Sequence, residues 1–108
     1  MTDIQRLERL LAFLKEEPDD PFLLYAIATE YNAAEPYKSL EYYERLLRDH
    51  PDYVGTYSHA AGLYAELGEP GKAEATYLKG IEVAGKAGEQ KAVQELQNAY
   101  TNFQMDMD

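Results

Sequence analysis

The chain has 108 residues, 45% of them hydrophobic, which is enough for one soluble domain with a single core. Its 20 Asp and Glu against 10 Lys and Arg give a formal net charge of −10, which opposes nucleic-acid binding because that binding depends on basic side chains displacing counterions. It has no cysteine, and its longest apolar run, FLLYAIA, is far short of the ~20 residues of a membrane span, so we expect a cytoplasmic protein that does not bind membranes.

The first predicted element is an amphipathic helix over residues 3–17. The segment Thr2-Asp3-Ile4-Gln5 fits a capping box at its start, and Pro18 stops it. Between these marks the apolar residues lie on one stripe: Ile4, Leu7, Leu10, Leu11 and Leu14.

Two helix pairs are predicted next, over residues 21–52 and 53–85. Proline fits the first turn of a helix but cannot continue one, so Pro21, Pro36 and Pro70 each mark a helix start, the first with Asp20 as N-cap. Between these marks, apolar residues recur at helical spacing.

The two pairs repeat each other in sequence. Ala28 and Tyr31 recur as Ala61 and Tyr64, 33 residues later. The second helices match at an offset of 34 residues, where Pro36, Lys38, Ser39, Tyr43 and Leu46 correspond to Pro70, Lys72, Ala73, Tyr77 and Gly80. The offset differs by one because the turn of the first pair is one residue shorter. A turn tolerates such a deletion, whereas the same deletion inside a helix would rotate its apolar face.

This pattern resembles the tetratricopeptide repeat (TPR), a 34-residue helix-turn-helix unit. The second pair has the family's residues at the family's spacing: Tyr57, Ala60, Ala61, Tyr64, Gly68, Ala73 and Tyr77. The first pair departs from it in having Ser39 at a position of small Ala and no turn glycine. The resemblance covers residues 21–85 and implies an all-α, right-handed antiparallel helix-turn-helix stack, a TPR-like superhelix of about six helices within one domain over residues 1–108.

The last predicted helix, over residues 88–104, resembles the family's terminal solvating helix, and we call it the capping helix. Gln97 stands where a full repeat has a small residue, and the helix has an apolar stripe on one side and a polar face on the other. The stripe consists of Val93, Leu96, Tyr100 and Phe103. Residues 105–108, MDMD, are expected to form a disordered tail.

No pattern typical of catalysis or metal binding is present in the sequence. His50 and His59 are the only histidines, and there is no HExxH motif, glycine-rich phosphate loop or nucleophile elbow to give either a partner. We therefore expect a non-catalytic protein without cofactor or metal.

Members of this family bind peptides along a concave face made by the first, or A, helix of each pair. The positions that match this face are Phe22, Tyr25, Thr29 and Asn32 on the first A helix, Ser58, His59, Gly62 and Glu66 on the second, and Gln94 and Asn98 on the capping helix. Neither A helix contains Lys or Arg, which excludes the family's mode of gripping a chaperone carboxylate. Such a lining fits an apolar segment flanked by Lys or Arg, although these positions are equally compatible with an ordinary solvent-facing surface.

The resulting hypothesis is a protein-interaction module or scaffold that acts as a monomer. The alternative is a structural or oligomerisation subunit that assembles through its terminal helices. The first interpretation of the acidic composition is a solvated, soluble surface. The second is adaptation to high salt, which would screen the repulsion between the acidic side chains.

Overall fold

The computed structural model describes residues 3–107, which form six α-helices and no β-strand. The helices are α1 (Ile4–Glu16), α2 (Pro21–Tyr31), α3 (Pro36–Asp49), α4 (Gly55–Glu66), α5 (Pro70–Lys86) and α6 (Gln90–Met107). They divide into two compact units, α1 to α3 and α4 to α6, with the boundary between His50 and Pro51. The prediction of an all-α helical repeat fold is confirmed. Within residues 3–107 no helix is long and apolar enough to cross a bilayer.

The helix starts of the first unit follow the sequence signals. Asp20 is the N-cap of α2, and its Oδ1 accepts a hydrogen bond from the Phe22 N–H at 2.9 Å, as the Asp-Pro pair predicted. The N-cap of α1 is Asp3, whose Oδ1 accepts from the Arg6 N–H at 3.0 Å. Thr2, which was predicted to open a capping box, lies outside the described residues.

The core of the first unit lies between α2 and α3. Its most buried apolar side chains are Leu24, Ile27, Ala28, Tyr43 and Leu46. Ser39 is fully buried among them, and its hydroxyl donates to the Ala28 carbonyl at 2.6 Å. This bond explains how the chain accommodates a polar residue at a position of small Ala, because a buried hydroxyl without a partner would destabilise the fold.

The second unit contains the most complete repeat. Gly68 ends the α4 turn with a φ of 80°, a conformation that glycine adopts without strain, and the Glu69 N–H then donates to the Tyr64 carbonyl at 2.8 Å. Tyr57, Tyr64, Tyr77 and Leu96 are buried, and the Tyr57 hydroxyl donates to the Pro51 carbonyl. The three tyrosines that match the family pattern in this repeat therefore belong to its core.

The C-terminal end of the chain corrects a prediction. A disordered tail was expected after residue 104, but α6 continues to Met107. No glycine or proline interrupts the chain from Gln90 to Met107, and Met107 follows Phe103 by one helical turn on the same face. The helix therefore has no local reason to stop at residue 104, and Asp108 lies outside the described residues.

The acidic charge has a consequence for stability. Ion pairs such as Lys72–Glu69, at 3.5 Å, are exposed and each contributes little, while a net charge of −10 opposes the compact state. The Debye length shrinks from ~30 Å at 0.01 M salt to ~3 Å at 1 M. We therefore expect the melting temperature in calorimetry to rise with KCl, with most of the rise below about 0.5 M. A flat or falling curve would contradict adaptation to high salt.

Candidate peptide-binding surface

The predicted residues of the first unit lie along α2. Phe22 is 62% exposed, Thr29 and Asn32 are exposed, and Tyr25 is half-buried. The Tyr25 ring meets the ring of Tyr43 edge-on with centroids 6.2 Å apart, an arrangement that holds it against the core. Phe22 is therefore the large apolar group that this face offers most openly to a partner.

Thr29 is less available for a ligand than its position suggests. Its hydroxyl donates to the Tyr25 carbonyl one turn earlier, at 2.9 Å, and its oxygen lies 3.4 Å from the Tyr43 hydroxyl. Such back-bonding is common for Thr within helices. The hydroxyl proton is thus used within the unit, and Thr29 can act toward a partner mainly as an acceptor. Burial raises the pKa of Tyr43, so its phenol stays protonated at neutral pH.

The predicted residues on α4 occupy its exposed side. Ser58, His59 and Glu66 are exposed and Gly62 is partly exposed. Desolvation by neighbouring groups lowers the pKa of His59 below its usual value, although much of its surface remains open, so the imidazole is neutral at pH 7. Glu66 forms no ion pair within the described part of the chain. This face therefore offers uncharged polar groups and one free carboxylate.

The capping helix α6 has the two faces that its sequence predicted. Gln94 and Asn98 are exposed, whereas Leu96 is buried and Val93, Tyr100 and Phe103 are partly buried. The Tyr77 ring of α5 packs on Tyr100 and Phe103 at centroid distances of 6.0 and 5.6 Å. The Tyr100 hydroxyl also donates to Glu74 Oε2 at 3.0 Å. An aromatic cluster thus fixes α6 on α5.

All ten predicted site positions are at least partly exposed, four in the first unit and six in the second. Sequence reasoning missed a further feature of the second unit, a groove beside the last turns of α6. Phe103 and Met107 line it together with Ala65, Glu66 and Pro70. The one sequence signal for it is the spacing of Phe103 and Met107, which places both on one helical face.

Paired antiparallel helices with repeated packing residues define a helical repeat protein. A solution NMR structure of a tetratricopeptide repeat domain protein from Salinibacter ruber is 42% identical in sequence and superposes with a TM-score of 0.75. The match covers 80% of this chain and 88% of the Salinibacter ruber chain. A crystal structure of a tetratricopeptide repeat domain protein from the same organism is also 42% identical, covers 79% of this chain and 97% of that chain, and has a TM-score of 0.74. The chain therefore belongs to the tetratricopeptide repeat family.

A more distant structure has the same fold. The solution structure of a protein from Bordetella parapertussis is 22% identical, covers 98% of this chain and 91% of that chain, and has a TM-score of 0.80. No protein-family model matches this sequence, and no curated protein matches it. The match to the Salinibacter ruber protein agrees with the assignment made from the repeated Ala, Tyr and Pro positions.

Proposed function

We propose that this chain is a non-catalytic module that binds a segment of a partner protein on the exposed faces of its A helices. In the first unit this face is on α2, and in the second it is on α4 and α6. Membership in the tetratricopeptide repeat family supports a role in protein interaction in general. The choice of these faces rests on the exposure of the matching positions and on one glycine.

Gly62 is the observation that carries the proposal. It lies in the interior of α4, where glycine costs about 1 kcal/mol relative to alanine. A methyl group added there would meet no atom within 4 Å beyond its chain neighbours and its own helix backbone, so internal packing does not require glycine at this position. Approach of a partner's backbone would require it. Gly71 and Gly85 also have open space around them, but both lie in end turns of α5, where the helix frays and glycine costs less relative to alanine than in a helix interior.

The chemistry of these faces indicates the partner. Neither α2 nor α4 contains Lys or Arg, the exposed Phe22 provides apolar contact, and Glu66 provides negative charge. Ser58, Asn32, Gln94 and Asn98 can bond a peptide backbone. An apolar segment with flanking Lys or Arg is complementary to these side chains. Affinity should be modest because α2 and α4 have only 11 and 12 residues, and an interface below ~1,200 Å² is weak or transient.

Phe22→Ala tests the proposal. Because the side chain is 62% exposed, its loss should change the free energy of unfolding by less than about 0.5 kcal/mol. Loss of an exposed aromatic anchor should weaken binding at least about tenfold. The measurement is calorimetric titration with peptides selected on the immobilised chain from a random display library.

The matched control is Tyr37→Ala, because Tyr37 is a similarly exposed aromatic of the first unit, at 68%, but lies on the second helix of the pair. Equal affinity losses in the two variants would contradict the proposed face. Tyr25→Ala is expected to abolish binding, since a rigid aromatic with a polar tip is a typical anchor. That variant also loses the Tyr43 contact, so its stability has to be measured beside its affinity.

A further inference from the structure

An open groove of about 640 Å³ lies between the last turns of α6 and the α4–α5 turn. We call it the C-terminal groove and define it by Ala65, Glu66, Tyr77, Phe103, Asp106 and Met107. Its volume falls in the range of ligand pockets, ~300–1,000 Å³. It shares Glu66 with the ten predicted site residues, whereas its apolar residues and Asp106 are not among them.

The apolar part of this groove combines a rigid and an adaptable side. The Phe103 ring is held by Tyr77, at a centroid distance of 5.6 Å, and by Tyr100, at 6.3 Å. Met107 is 56% exposed and unbranched, so it can adjust to the shape of an incoming group. Phe103 and Met107 also line a second hollow of about 370 Å³ on the side of Glu74. The partly buried Phe103 and the exposed Met107 thus line two hollows, and such an apolar surface can anchor another molecule.

The charged part of the groove is wholly acidic. Glu66 and Asp106 are its charged lining residues, and neither forms an ion pair among residues 3–107. Lys72, in the first turn of α5, is already engaged, with its ammonium 3.5 Å from Glu69 and 5.8 Å from the centre of the Tyr64 ring. Two uncompensated carboxylates beside apolar surface are complementary to a cation joined to an apolar group.

We propose that the C-terminal groove docks a segment of another protein in which one or two apolar side chains stand next to a Lys or Arg. The apolar side chains contact Tyr77, Phe103 and Met107, and the cation pairs with Glu66 or Asp106. A second copy of this chain is a poor occupant because each copy carries a net charge of −10. The groove does not depend on binding at the A-helix faces, so either site can fail without the other.

The test is an NMR titration of the 15N-labelled full chain with three synthetic peptides that share one apolar sequence and are flanked by Lys, Gln or Glu. We expect affinity to fall in that order, and the Lys peptide to shift the amides of residues 65–68 and 99–107. Shifts confined to residues 22–33 and 55–62 would support the A-helix faces and overturn the groove. A Glu peptide that binds as well as the Lys peptide would also overturn it.

Matched variants separate local pairing from general attraction. Glu66→Gln with Asp106→Asn should weaken binding of the Lys peptide about tenfold and reduce its shifts in residues 99–107, a readout that separates the groove from the A-helix face that also contains Glu66. The control, Glu16→Gln with Glu95→Gln, changes the net charge equally at exposed carboxylates outside the groove and should change affinity less than twofold. An equal loss in both double variants would overturn the proposal. A second contradicting result would be a mass that doubles with concentration in sedimentation of the free chain, together with concentration-dependent shifts in residues 99–107. A second copy of the chain would then occupy the groove.

Discussion

Replacing Gly80 with Ala should lower the free energy of unfolding by about 2 kcal/mol. An added methyl carbon would lie 2.5 Å from the Cβ and 2.9 Å from the Cγ of Tyr57, and 3.3 Å from the Cδ1 of Leu96. A rotamer change can move Leu96, but the Cβ of Tyr57 is fixed to the backbone of α4. The two helices would have to separate where Gly80 now lets α5 approach α4, and the core around Tyr57 would loosen.

Urea unfolding followed by circular dichroism measures this loss, and Gly85→Ala is its control. Gly85 lies on the same helix, but a methyl group there meets nothing within 4 Å beyond its own helix backbone, so the substitution should raise stability by about 0.5 kcal/mol through helix propensity, less than in a helix interior because Gly85 lies in the last turn. Opposite signs for two identical substitutions would locate the effect at the α4–α5 contact. A neutral or stabilising Gly80→Ala would mean that the helices can shift without cost.

The helices were predictable because their start signals are local. Pro21, Pro36 and Pro70 each stand at the first position of a helix, where a missing N–H and a fixed φ are tolerated. Apolar residues at helical spacing likewise predict a buried helix face without any knowledge of its neighbours, and on α2 Leu24, Ile27 and Ala28 are buried. Such signals depend only on a few adjacent residues, so one sequence is enough to interpret them.

The close approach at Gly80 was not predictable from the repeat. Leu46 occupies the matching position of the first pair and is fully buried, so the two repeats fill the same position with residues of very different volume. Whether glycine there means close contact or open space depends on residues brought next to it by the fold, Tyr57 and Leu96. Sequence spacing contains no measure of that distance.

The candidate site was predictable in part. The family resemblance pointed to residues of α2, α4 and α6 that do reach solvent, but it did not reveal that the Thr29 hydroxyl bonds within its own helix. The C-terminal groove also escaped the sequence, because it exists only where α6 continues past residue 104 beside the α4–α5 turn. A helix end without Gly or Pro has no clear local signal, and a groove requires three elements to meet.

Tyr64→Ala should have the largest effect of the substitutions considered, a loss of about 3 to 5 kcal/mol. Tyr64 is 7% exposed in the core of the second unit, and the ammonium of Lys72 lies 5.8 Å from its ring centre. Truncation removes the buried ring, leaves a cavity in the core and removes the cation–π contact. Since native stability is typically about 5–15 kcal/mol, the variant would keep only a small margin.

The control for this truncation is Leu78→Ala, which removes an apolar side chain that is 49% exposed on α5 of the same unit. It should cost no more than about 1 kcal/mol, because little buried contact is lost. Chemical unfolding of both variants gives the two losses, and NMR spectra of Tyr64→Ala show where the structure loosens. We expect the amides of α4 and α5 to broaden first. If Tyr64→Ala and Leu78→Ala lowered the free energy of unfolding equally, Tyr64 would contribute no more to helix packing than a half-exposed leucine.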